Sequence, residues 1–271
     1  MGVRFWTQPV IGVSVLIHAA ALVWVFWVPS DGLKALGLIL TNHLVITGLT
    51  LIPKSRLLGP NLSCLPLAAG WVVLTFDDGP DPMVTPQVLD ILEAHGARGT
   101  FFVIGSNVDR FPDVCAEIVA RGHQVENHSY GHALLFALSS ARGYREDIDK
   151  AQATILRVTG RRPRYFRAPF GFRSPLLAPV LHALGLELVS WTRRGFDTRE
   201  KNPTRILKRL TRGLSSGDIL LLHDRGSSLT PEGVPVCLKV LPPLLEMLRA
   251  RGLQAVRLSD AVPPSAPFPS S

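Results

Sequence analysis

Residues 72–81 read VVLTFDDGPD. Val72–Phe76 is a short run of β-favouring residues, and Asp77-Asp78-Gly79-Pro80 stops it with turn formers. Thr85-Pro86 then opens a helix near 86–95, a cap residue followed by proline at the first helical position. The same unit recurs down the chain. Further strands are expected at Thr100–Ile104, Gln124–Glu126, Tyr165–Arg167, Glu187–Trp191, Ile219–Leu222 and Ala255–Leu258. Helical patterns lie near 112–121, 144–159, 175–184, 203–214 and 237–251. Most of them stop at a glycine (Gly96, Gly122, Gly160, Gly185, Gly252), which takes the left-handed position after a helix without strain. Strand–helix alternation over 71–260 implies a mostly parallel sheet, open or closed into a barrel. Sites in such folds gather at the C-terminal edges of the strands.

Polar residues collect at those edges. Asp77 and Asp78 follow the first strand. Asn127-His128-Ser129-Tyr130-Gly131-His132 follows the third, and Ala168-Pro169-Phe170-Gly171 follows the fourth. Asp197 lies beyond Trp191, and His223-Asp224 follows Leu222. His128 and His132 are four apart, so a helical turn would face both imidazoles one way. With one carboxylate they make a three-ligand metal site with room for water. Taken alone, the pair also reads as a surface histidine pair. An Asp-Asp strand end can give one carboxylate to the ion and the other to its water.

These motifs together resemble the polysaccharide deacetylase family, with its NodB-homology domain. The resemblance rests on TFDDGP at 75–80, HSYGH at 128–132, RAPFG at 167–171, Asp197 and LLLHD at 220–224, in family order across 71–260. It implies a distorted (β/α) barrel and hydrolysis of an N-acyl sugar. Asp78, His128 and His132 would hold a divalent metal, with zinc the expected ion. Asp77 would be the general base and His223 the general acid; Arg167 would pair with Asp77, and Asp197 with His223. Pro169, Phe170, Gly171 and Trp191 would line the substrate and oxyanion region. Three departures stand out. Ala133 replaces a frequent proline, Phe170 replaces the usual tyrosine, and Arg194 and Thr198 stand where aspartate and tryptophan are usual. The last two reshape the groove where a chitin-like polymer would lie.

The N-terminal fifth differs from the rest. Hydrophobic residues make up 46% of the 271 and charged residues only 18%, and mean hydropathy is +0.23. Disordered and collagen-like chains are excluded. Three separated cysteines exclude a disulfide framework and a cysteine-based zinc module. Residues 10–28 carry no charge and would span about 28 Å as a helix, close to a bilayer core. Residues 35–52 form a second apolar run, interrupted by Thr41, Asn42, His43, Thr47 and Thr50. The expected organisation is a transmembrane hairpin over 1–52, a linker over 53–70, the catalytic domain over 71–260 and a disordered tail over 261–271. Arg4, Lys34, Lys54 and Arg56 place the turn outside and the domain on the cytoplasmic side of a bacterial-type inner membrane. If the second run does not span, the same rule puts the domain outside.

The net charge of +8 concentrates in two stretches. Residues 142–173 carry nine basic against three acidic residues, and 193–212 carry eight against two. Both flank the proposed site. A solvated basic face or anionic headgroups would account for them; no nucleic-acid module is recognisable. An anionic substrate such as an acylated amino sugar on a polyprenyl phosphate would also account for them. The expected function is therefore a membrane-anchored metal-dependent deacylase of an amino sugar. Alternatives are an O-acetyl sugar esterase using the same residues, a catalytically idle glycan-binding or scaffold protein, and a non-haem iron oxygenase.

Overall fold

A computed structural model of the chain describes residues 8–65 and 70–262. The expected tail lies outside the described residues from position 263 onward. Two apolar helices come first, α1 (Pro9–Trp27) and α2 (Gly32–Thr50), joined by a 3-10 turn at Pro29–Asp31. Both are long and apolar enough to cross a membrane, and they form a hairpin. The polar residues of α2 are satisfied within the pair. Thr41 Oγ1 and Thr47 Oγ1 donate to carbonyls four residues back, Asn42 Nδ2 donates across to Ser14 Oγ at 2.8 Å, and the His18 and His43 rings meet edge-on. Hydroxyls and amides bonded in this way do not break an apolar helix.

The α/β region that follows holds β1 (Trp71–Asp77), α3 (Thr85–Ala94), β2 (Gly99–Val103), α4 (Gly105–Arg110), α5 (Pro112–Ala120) and β3 (Gln124–Asn127). It continues with α6 (Ala141–Thr159), β4 (Tyr165–Phe166), α7 (Leu177–Ala183), β5 (Glu187–Leu188) and β6 (Arg193–Arg194). It ends with α8 (Pro203–Thr211), β7 (Ile219–His223), α9 (Val236–Ala250), β8 (Gln254–Ala255) and α10 (Leu258–Ala261). The strands run parallel in the order β5-β4-β3-β2-β1-β7-β6, and β8 pairs with the start of β1. The result is a curled sheet with helices outside, the expected distorted (β/α) barrel.

Period-two alternation explains what lies on each face. Val72, Leu74 and Phe76 of β1 pack outward with Leu220 and Leu222 of β7 against α3, α5, α8 and α9. Val73, Phe102, Ile219 and Leu221 point inward and fill the barrel with Tyr165, Val189 and Trp191. Thr75, Asp77 and His223 share that inward parity, so the strands carry polar groups into the barrel mouth.

Several boundaries differ from expectation. The last strand is only Gln254–Ala255; Leu258 starts α10, with its N–H bonded to Thr100 Oγ1 rather than to a ladder. The fifth strand stops at Leu188, and the two-residue β6 and the short α4 carry too few residues to show a period. The glycine stops stand: Gly160 closes α6 at φ 67° with its N–H on Leu156 O.

The segment expected as a linker packs against the barrel wall. Leu62 bridges to Val189 on the free edge of β5, Thr192 Oγ1 donates to Ser63 O, and Leu65 N–H reaches Gly217 O before β7. Residues 62–65 thereby cover the seam between β5 and β6. Leu58 and the Arg173 side chain are buried beneath residues 53–65, Arg173 donating to Ser55 O.

Candidate active site

The sheet register assembles the centre. Asp77 pairs with His223 across β1 and β7, and with Phe102 across β1 and β2. Asp77 is therefore flanked by His223 on one side, and the His128 loop arrives from β3 on the other. The next residue, Asp78, turns out of the strand at φ 73°. Among the described residues, the non-glycine positions with positive φ are Asp78, Ser129, His132, Phe170 and Phe196, all in loops after strand ends. Backbone strain of this kind is tolerated where surrounding contacts over-determine it, and it concentrates at functional sites.

The two histidines do not share a helical turn. Residues 128–132 are a bent loop with Ser129 at φ 66° and His132 at φ 47°. The bends are held in place by side chains. Asn127 Oδ1 accepts from Ser129 N–H, Ser129 Oγ from His132 N–H, and the Asp147 carboxylate from Tyr130 and Gly131 N–H. The loop brings the imidazole centroids to 4.9 Å, which is what the helical expectation required by another route.

Asp78, His128 and His132 place one donor atom each within 4.8 Å of one another. His128 Nδ1 lies 2.8 Å from Arg167 O, a pure acceptor, so Nδ1 carries the hydrogen and Nε2 carries the lone pair in the neutral ring. That Nε2 faces Asp78 Oδ1 at 3.3 Å, and His132 Nε2 faces the same oxygen at 3.2 Å. Asp78 Oδ1 is buried and accepts no hydrogen bond. Lone pairs converging on one point suit a cation between them. The donor set, two imidazoles and a carboxylate with His128 oriented through its other nitrogen, fits a divalent metal such as zinc.

The charges respond to this crowding. Burial would raise the Asp78 carboxyl, but the imidazoles of His128, His223 and His132 hold it well below the carboxylate range. Burial works against a charged His128, yet Asp77 and Asp78 push its pKa up. His132 is pushed down to about 4, first by burial and then by His128.

Arg167 joins the two halves of the site. It is 1% exposed and lies inside the barrel. Its guanidinium donates to Asp77 Oδ1 at 2.6 Å, to Thr75 Oγ1 at 2.8 Å and to the Ser190 carbonyl at 2.9 Å, and stacks 4.1 Å from Phe102. Its carbonyl orients His128. On the opposite side Asp197, fully buried, accepts from His223 N–H at 2.8 Å and meets His223 Nδ1 at 2.9 Å. Burial would lower the His223 pKa, but Asp197, Asp77 and Asp78 raise it to about 9.

That shift has a sign that can be tested. A raised histidine pKa adds stability that is present in full below about 6.5 and is lost as pH climbs through about 9. In metal-free protein, the His223 ring should titrate near 9 by NMR, and Asp197→Asn should move the midpoint down toward the free-histidine value. An unmoved midpoint would remove Asp197 as the cause.

Phe170 and Gly171 form a tight 3-10 turn after β4, with Pro169 buried. Gly171 N–H and Phe172 N–H bond back to Ala168 O and Pro169 O, and Phe170 and Gly171 line the pocket. The Phe170 ring rests 4.8 Å from His132. Gly171 cannot carry a side chain, since a Cβ would sit 2.7 Å from Trp191 and 2.8 Å from Pro53. Trp191 forms part of the floor of a cavity of about 330 Å³, together with Leu221, Asp77, Asp78 and the two histidines.

Sequence reading missed several supporting groups. Asn107 on α4 donates from Nδ2 to Asp78 O at 2.9 Å. Asp224 binds the Thr85 hydroxyl at 2.5 Å, and its carboxylate fills the space where a Gly79 side chain would be. Arg199 lines the cavity beside Arg194 and Thr198. The adjacency of Asp224 to His223 was the one visible signal for this group.

Residues 66–189 match the polysaccharide deacetylase family. A peptidoglycan-N-acetylglucosamine deacetylase of Bacillus cereus is 32% identical over 191 residues, which cover 70% of this chain and 86% of that protein. The peptidoglycan-N-acetylglucosamine deacetylase PgdA of Listeria monocytogenes is 36% identical over 153 residues, 56% of this chain. This chain spans only about a third (32%) of that relative's length. Among solved structures, the family 4 carbohydrate esterase from Streptomyces lividans, in complex with acetate, superposes with a TM-score of 0.62 at 29% identity, covering 70% of this chain and 93% of that one. The chain belongs to the polysaccharide deacetylase family.

Proposed function

We propose that this chain is a metal-dependent hydrolase that removes an N-acyl group, acetyl or formyl, from an amino sugar of the cell envelope. The observation that carries the reading is the register pairing of Asp77 with His223 beside the Asp78–His128–His132 cluster. Asp78, His128 and His132 would hold a divalent cation, with zinc the expected ion. When bound, it supplies Lewis acidity that polarises the acyl oxygen and makes water a better nucleophile near neutral pH.

The remaining roles belong to the chain itself. Arg167 occupies Asp77 Oδ1, so Oδ2, 3.8 Å from His128 Nε2, is the lone pair left to accept a proton from the attacking water. The oxygen of that water adds to the acyl carbon. Phe170 N–H stabilises the charge that develops on the acyl oxygen. His223 is held in its protonated form by Asp197 and passes its proton to the sugar nitrogen as the C–N bond breaks. One water is consumed; a free amine and a carboxylic acid leave. Arg194, Thr198 and Trp191 shape the pocket around the sugar.

The helical hairpin is read as a membrane anchor. Both of its ends meet the catalytic domain: Gln8 Nε2 donates to Pro175 O, and Arg173 N–H reaches Thr50 O. The domain therefore sits directly at one membrane face, the cytoplasmic one by the distribution of flanking basic residues.

The variant His128→Ala should lose both bound metal and amine release from an N-acetylglucosamine oligomer while the full chain keeps its fold. Full metal occupancy in that variant, measured by elemental analysis, would sink the assignment.

A further inference from the structure

The face that carries the site is also the greasy face of the catalytic domain. Apart from Leu156 on α6, the exposed large apolar side chains between residues 70 and 262 all lie in loops after strand ends. Leu134, Leu135 and Leu138 follow β3, Phe170 follows β4 and Phe196 follows β6. Met83 and Leu229 occupy the corresponding loops after β1 and β7. Because the sheet is parallel, these loops share one edge. The hairpin joins that same edge through Thr50, Pro53 and Lys54. Exposed leucines at 66–78% exposure cost a soluble surface dearly, and clustered around a site they mark contact with an apolar phase.

A second cavity opens on this edge beside the first. It is a groove of about 490 Å³ walled by Ile52, Pro53, Trp191, Thr192 and Phe196, with Lys54 and Arg194 at its polar end. Trp191 and Arg194 line both cavities, so the groove runs from the last turn of the hairpin into the site. Arg194 is the notable residue. Its guanidinium lies between the Trp191 and Phe196 rings at 5.4 Å and 5.0 Å, and its buried Nε–H has no hydrogen-bond partner. Among the described residues, no carboxylate pairs with Arg194, Arg199 or Lys54; Lys54 Nζ bonds only the Thr192 carbonyl. A buried guanidinium N–H without a partner is costly, and two cations without a carboxylate on the apolar groove, with Arg199 in the adjoining cavity, are complementary to a phosphate carrying a lipid.

We propose that the substrate enters from the bilayer as a lipid-phosphate-linked N-acyl amino sugar. The phosphate is held by Arg194, with Arg199 and Lys54 beside it, and the first lipid units lie in the Ile52–Pro53–Thr192–Phe196 groove. The proposal rests on the deacylase reading for the fate of the sugar, but its binding part does not. The departure from aspartate at position 194 then has a use: a carboxylate there would repel the phosphate.

The test uses the full chain in detergent micelles with three probes: farnesyl monophosphate, farnesyl-phosphate N-acetylglucosamine and the water-soluble N-acetylglucosamine trimer. Farnesyl monophosphate should bind, and should compete with the lipid-linked sugar. The lipid-linked sugar should be deacylated with kcat/KM about 10²-fold above the trimer, and Arg194→Gln should raise its KM by about tenfold with kcat held within about twofold. If Arg194→Gln does not fold, Phe196→Ser tests the apolar wall in the same way. Equal kcat/KM for the two sugars, or no binding of farnesyl monophosphate, overturns the proposal and leaves the deacylase reading to the trimer. Arg194-dependent binding of farnesyl monophosphate with neither sugar deacylated supports the lipid-phosphate site and refutes the deacylase reading instead.

Discussion

Replacing Asp77 with asparagine should lower kcat by about 10²- to 10⁴-fold while metal content stays at the wild-type level. The amide is nearly isosteric and can still accept from Arg167, so the barrel keeps its shape. What is lost is the basic oxygen facing the cation site. Asp77 is not among the three converging donors, which are Asp78, His128 and His132; this is why metal binding and rate should separate. Stopped or steady-state amine release, read beside elemental analysis of the same preparation, checks it. A variant with wild-type rate would remove Asp77 from the mechanism.

The second large effect is on stability. Arg167→Met should destabilise the full chain by about 3–5 kcal/mol at pH 7, because it leaves the buried Asp77 carboxylate without its guanidinium partner. Asp77 is 3% exposed and Arg167 is 1% exposed, so solvent cannot take over. The variant also opens a gap against Phe102 and unties two carbonyls and the Thr75 hydroxyl. Adding Asp77→Asn to Arg167→Met should recover part of the loss, since neither charge is then stranded. Strictly additive losses in thermal or denaturant midpoints would show that the pair does not interact.

The positions of the site residues along the chain were readable because strand ends advertise themselves. A β-favouring run followed by Asp-Asp-Gly-Pro, or by His-Asp, places polar groups at a parallel edge whatever the details of the barrel. Alternation then accounts for the faces: Val73, Thr75 and Asp77 share one. The pairing of Asp77 with His223 was not readable, because nothing within either strand fixes the register of β1 on β7. The conformation of the His128–His132 loop was not readable. A spacing of four looks helical, and nothing local announces left-handed backbone at Ser129 and His132. That geometry is imposed by Asn127 and by Asp147, a residue of α6 sixteen or seventeen positions beyond the amides it binds. The cover over the barrel seam was hidden for a related reason. Residues 53–65 have no period to detect, and Leu62 pairs with Val189 only because β5 is left with a free edge. Arg194 was visible only as a departure from a pattern; its meaning required the groove beside it.

The measurement closest to the central claim is mass spectrometry of lipid-linked and polymeric envelope glycans from cells that carry the wild-type chain, the Asp77→Asn chain or none. With the wild-type chain an amino sugar should appear with a free amine. Without it, and equally with Asp77→Asn, the same sugar should retain one acyl group. Identical glycans in all three strains would contradict the account.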